Sequence, residues 1–129
     1  MTELTSSMRD SKWCRLLEAI SGLSLPSSYW RLLGREREYH FGTPTPDMIV
    51  EHDGRRGIGY YGATGPFFFR DVETVRWPAV FEHTWARGYS PNIIVQPLGE
   101  LAEALVRAGR FDYTLDDAGL TLFAYRRRG

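Results

Sequence analysis

Apolar residues at Trp13, Leu16, Leu17 and Ile20 recur with the i, i+3, i+4, i+7 spacing of a helix face. They predict a helix over about 11–22, with Asp10 or Ser11 as its cap and Gly22 as its stop. A second stripe, Leu98, Leu101, Ala102 and Leu105, predicts a helix over 98–108. Glu103 and Arg107 stand at the spacing of an ion pair on it, and Gly109 ends it. Between the helices the pattern is that of strands. Residues 48–52 (MIVEH) read as a strand followed by the turn dipeptide Asp53-Gly54. Residues 58–62 (IGYYG) read as another, flanked by turns. Residues 67–77 (FFFRDVETVRW) read as a strand that bends near Asp71 and is stopped by Pro78. Residues 92–96 are a short apolar strand or a buried link. At the end of the chain, Phe111, Tyr113 and Leu115 alternate, Asp116 to Gly119 turn, and Leu120, Leu122 and Ala124 alternate back as a hairpin.

Other stretches are less regular. Residues 1–9 read as a loose tail, and Leu-Pro at 25–26 forces an extended connection. Residues 29–33 (YWRLL) are too short to separate a strand from a helical turn. Residues 35–38 (RERE) are solvated by their charge. Pro44 and Pro46 make residues 43–46 irregular. Residues 79–92 have no clear period. The expectation is an α+β single domain: a mostly antiparallel sheet of about five or six strands with two main helices.

The run Phe67-Phe68-Phe69 sharpens that picture. A strand period of two puts Phe67 and Phe69 on one face and Phe68 on the other. Either the strand is covered on both faces, or one side joins Tyr60 and Tyr61 as an aromatic patch for a partner.

Composition adds limits. The 129 residues suit one domain with a real core. Lys+Arg and Asp+Glu are 16 each, so net charge draws the chain neither to nucleic acid nor to an anionic membrane surface. The lone cysteine, Cys14, excludes an intramolecular disulfide. The polar start lacks a signal-peptide pattern, and no stretch approaches the roughly 20 apolar residues of a membrane span. A cytoplasmic protein with no membrane partner is expected.

No catalytic signature emerges. Gly57-Ile58-Gly59-Tyr60-Tyr61-Gly62 matches G-x-G-x-x-G, but Pro66 and the aromatic run follow where a nucleotide-binding loop needs a helix. His40, His52 and His83 lack metal-ligand spacing, although His40, His52, Asp47 and Glu51 could meet in space. Cys14 lies beside the apolar stripe of the first helix, the place of a boundary residue. No cofactor is expected. Residues 36–75 hold seven acids (Glu36, Glu38, Asp47, Glu51, Asp53, Asp71, Glu73) against four arginines, a mildly acidic middle that could attract a basic partner if the acids shared a face. Arg126-Arg127-Arg128 reads as a solubilising end to the last strand.

Several segments together resemble a known pattern. Lys12 to Ile20 (KWCRLLEAI), Pro44-Thr45-Pro46, and Gly65 to Glu73 (GPFFFRDVE) look like a family of small, uncharacterised bacterial proteins of immunity-protein type. That family carries K-W-x-x-L, P-x-P and G-P-F-x-[FY]-R-[DE]-[VI]-E. Residues 23–33 (LSLPSSYWRLL) also resemble the L-P-x-x-Y-x-x-x-L signature of the SUKH immunity superfamily. The resemblance implies a protein that binds and neutralises a cognate bacterial toxin domain without catalysis.

The expected partner contacts are Glu36, Glu38, Glu51, Asp53, Tyr60, Tyr61, Phe68 and Arg70. One alternative is a small-ligand binder or enzyme using the Gly57–Gly65 region. Another is a homo-oligomeric structural protein, with a homodimer as its simplest form.

Overall fold

The computed structural model describes residues 3–6, 8–59, 66–83 and 92–128. They form an α+β fold in which every strand pairing is antiparallel. The strands are β1 (Glu3–Ser6), β2 (Ser28–Leu32), β3 (Glu38–Phe41), β4 (Ile49–His52), β5 (Arg55–Ile58), β6 (Phe67–Phe68), β7 (Val72–Pro78), β8 (Val80–His83), β9 (Asn92–Val95), β10 (Tyr113–Leu115), β11 (Gly119–Phe123) and β12 (Tyr125–Arg128). The helices are α1 (Asp10–Ile20) and α2 (Leu98–Ala108).

The main sheet has five strands in the order β10-β11-β7-β2-β3. A second sheet is β4-β5-β6, and β1-β12 and β8-β9 are two-stranded ribbons. Alternation assigns the two faces of the main sheet. Trp30, Val75 and Leu122 are cross-strand partners, as are Trp77 and Leu120, and all five are buried. They share one core with Trp13, Leu16, Leu17 and Ile20 of α1 and Leu101, Ala104 and Leu105 of α2. The rings of Trp13 and Trp30 stack with centroids 5.7 Å apart, and Trp13 stacks on Phe69 at 5.5 Å. Two of the buried indoles donate to side-chain hydroxyls: Trp30 Nε1 to Ser28 Oγ at 2.8 Å and Trp77 Nε1 to Thr43 Oγ1 at 2.9 Å.

The aromatic run resolves into three environments. Phe67 and Phe68 form β6, and residues 69–71 turn as a 3-10 helix before β7 begins. Phe67 and Phe69 are buried, whereas Phe68 is half-buried with the Arg55 guanidinium 5.7 Å from its ring centre. The bend expected near Asp71 is therefore a passage from the small sheet to the large one.

Some local expectations change. The stretch expected as a tail contains β1, which pairs with β12. Asp10 and Ser11 do not cap α1. The N-cap is Arg9, and the Asp10 carboxylate instead accepts the Arg56 backbone N–H at 2.9 Å, tying the helix to β5. Glu103 and Arg107 are both exposed and form no ion pair, since two solvated side chains gain too little from pairing to be held in one geometry. Residues 29–33 resolve to strand β2, and β8 lies in the stretch without a clear period.

Candidate functional site

The expected contacts divide between sheets. Glu51 is exposed on β4, opposite Arg56 of β5. Asp53 sits in the β4–β5 turn with φ 53°, followed by Gly54 at φ 76°, a pair of left-handed residues suited to a two-residue hairpin. Its carboxylate lies 3.3 Å from His52 Nε2. Phe68 lies on the outer face of this small sheet, in line with Gly57. A Cβ on Gly57 would stand 2.0 Å from the Phe67 carbonyl oxygen, so glycine is required for the strands to close. Gly57 of the G-x-G-x-x-G match is thus a strand residue in the middle of a sheet. Arg70 is exposed in the 3-10 turn, and its carbonyl accepts the Tyr125 hydroxyl at 2.7 Å. Tyr60 and Tyr61, with most of the Gly57–Gly65 region, lie outside the described residues.

Glu36 and Glu38 belong elsewhere, at the β2–β3 side of the main sheet. Glu38 Oε1 accepts from Arg76 Nη2 at 3.2 Å across the face opposite the helices. That face carries side chains the sequence reading did not single out. The Arg76 guanidinium lies 4.2 Å from the Tyr29 ring centre, and Tyr29 stacks on His40 at 4.4 Å. His40 in turn meets Phe81 of β8 at 5.5 Å, and its Nε2 is 2.8 Å from Ser27 Oγ. Burial first, and then the charge of Arg76, push the His40 pKa below its ordinary value. The available signal was alternation: Tyr29 and Arg31 interleave with Ser28, Trp30 and Leu32, and Arg76 stands between Val75 and Trp77.

Gln96 ties this face to the β8–β9 ribbon. It is buried, and its Oε1 accepts from Ser27 N–H at 3.0 Å. Its Nε2 donates to the carbonyls of Ser27 at 3.1 Å and Pro78 at 2.7 Å. The side-chain amide thereby takes the place of a neighbouring strand's peptide for Ser27. Phe81 of the ribbon faces His40, while Val80, Ile93 and Val95 share the opposite face with exposed Glu82 and are 54%, 70% and 74% exposed. A cluster of three large apolar side chains in water is the second feature the sequence did not disclose.

A groove of about 630 Å³ lies on the helix-free face of the main sheet. Arg31, Thr74 and Phe123, cross-strand neighbours on β2, β7 and β11, lie along it. Arg35 and Glu36 line it from the turn after β2, and Tyr125 and Arg126 from β12. Glu73 enters at a register shift between β2 and β7, and its Oε2 lies 3.0 Å from Arg31 Nε. The approach is an ion pair without hydrogen-bond geometry, so the buried Arg31 Nε–H has no acceptor.

Among the described residues no three His, Cys, Asp or Glu side chains gather as a metal site, and His40 and His52 lie on different sheets. Cys14 is half-buried with Arg56 Nη1 at 3.8 Å. Among the described residues, no helix is long and apolar enough to cross a membrane. No family model, curated protein or solved structure matches the chain.

Proposed function

We propose that this protein is a bacterial immunity-type inhibitor that binds one cognate toxin domain and performs no chemistry itself. The observation that carries the reading is the outer face of the β8–β9 ribbon, where Val80, Ile93 and Val95 stand together in solvent. A contiguous apolar group on a polar surface is the expected centre of a protein interface. Beside it, through Phe81 and His40, lies the face that carries Tyr29, Arg76 and Glu38. Arginine and tyrosine held in preformed contacts lose little freedom on docking and suit the surrounding contacts. The sequence resemblance supplies the class of partner.

The test is capture of a toxin domain by the full chain, read together with protection of cells expressing that toxin. Val95→Glu adds a second carboxylate to the one Glu82 already places on this face and should abolish both capture and protection, while circular dichroism stays native. Arg76→Ala should weaken capture by about tenfold. Capture and protection that survive Val95→Glu and Ile93→Glu together would refute the assignment of the surface. A chain that protects against no toxin and instead scatters light as a stable oligomer would favour the structural reading.

A further inference from the structure

The groove on the helix-free face gathers three arginines that the proposed interface does not use, two of them already ion-paired within the fold. Arg31, Arg35 and Arg126 reach it from β2, from the turn after β2 and from β12. Arg31 Nε–H is buried without an acceptor although Glu73 is beside it. Arg35 is exposed and has no acidic partner among the described residues, its backbone N–H being bonded to the Leu32 carbonyl at 3.1 Å. Asp112 engages Arg126, whose guanidinium also covers the Phe123 ring at 4.0 Å. The Arg31 charge is balanced by Glu73, but its buried Nε–H makes no hydrogen bond, and an acceptor placed in the groove would complete it.

The geometry of supply narrows the acceptor. A carboxylate presents two oxygens in one plane, whereas a phosphoryl group presents three arranged around an axis and so accepts more readily from donors arriving on several sides. Three arginines on three separate elements match the second. Glu36 and Glu73 also line the groove, so its lining carries both signs. These carboxylates would repel a bare polyanion and accept hydrogen bonds from hydroxyl groups. The volume, about 630 Å³, is that of a small-molecule site.

We infer that this groove binds a phosphomonoester carried on a small hydroxylated molecule, the phosphoryl group among Arg31, Arg35 and Arg126 and the hydroxyls on Glu36 and Glu73. The site goes beyond the toxin-binding reading and does not depend on it.

Calorimetric titration of the full chain with ribose 5-phosphate, inorganic phosphate and ribose tests it at low salt. Ribose 5-phosphate should bind with a dissociation constant below about 1 mM, more tightly than inorganic phosphate, and ribose should not bind. Arg35→Ala, an exposed substitution, should weaken ribose 5-phosphate by about tenfold. Glu36→Gln should weaken ribose 5-phosphate but not inorganic phosphate. No heat and no thermal stabilisation with ribose 5-phosphate at about 10 mM would overturn the proposal. So would equal binding by folded Arg35→Ala, or inorganic phosphate binding as tightly as the sugar phosphate.

Discussion

On β2, Tyr29 and Trp30 are neighbours in the chain and lie on opposite faces of one sheet. Trp30 is 1% exposed between Trp13, Phe41 and Phe67. Tyr29 lies between the Arg76 guanidinium and the His40 ring, on the face without helices. The same division runs across β7, where Val75 and Trp77 are buried and Arg76 reaches Glu38. The buried face is held by packing of large rings, where removing atoms leaves a void. The open face is held by ion pairs and ring contacts that water can replace. Identical backbone hydrogen bonding therefore supports two kinds of side-chain layer, one that carries stability and one free to carry recognition.

Substitution can break that contrast most sharply at the tryptophan. Trp30→Ala should cost about 3–5 kcal/mol in chemical denaturation, enough to threaten folding. Gln96→Ala comes next, because it leaves the Ser27 N–H and the Ser27 and Pro78 carbonyls short of partners. A loss of about 1–3 kcal/mol is expected, again by denaturation. Arg76→Ala on the open face should change stability by less than about 1 kcal/mol, because the ion pair it removes is solvated. A loss as large as that of Trp30→Ala would erase the distinction between the faces.

The smallest effect concerns His40. Its pKa is lowered in the folded chain by burial and then by Arg76, while Ser27 Oγ and the Tyr29 and Phe81 rings contact it. The unfolded chain then binds the proton more readily than the folded one. Stability contributed by neutral His40 is present above the ordinary value of 6.5 and falls as pH drops from there through the lowered folded value. His40→Gln should flatten this part of the stability–pH curve, and an unchanged slope would assign it to other groups.

How far the sequence foretold this arrangement depended on the range of the forces involved. The helix at 98–108 follows from its apolar stripe and matches α2, and the terminal hairpin follows from its alternation and turn residues. Residues 29–33 were ambiguous because five residues contain too few periods to separate strand from helix, and the pairing of β2 with β7 settles the matter from outside the segment. β1 and β8 escaped notice because polar or mixed ribbons have little apolar period to detect. The site was less visible still. Glu36, Glu38, Glu51 and Asp53 are near one another in the chain, yet the first pair belongs to the main sheet and the second to the small one. The groove gathers Arg31, Arg35, Glu73 and Arg126 from distant segments, and no local pattern encodes that meeting. The ribbon's exposed valines and isoleucine look like core residues to any reading that treats apolar as buried.

The placement of β7 also sets a schedule for synthesis. One edge of this strand bonds to β2, which is made before it, and the other bonds to β11, which is made only after α2 and β10. Until residues 119–123 are available, Val75 and Trp77 belong to a strand with an open hydrogen-bonding edge. Such a nascent chain has a surface prone to cross-chain pairing, and stalling shortly before β11 would leave it exposed to aggregation or to chaperones.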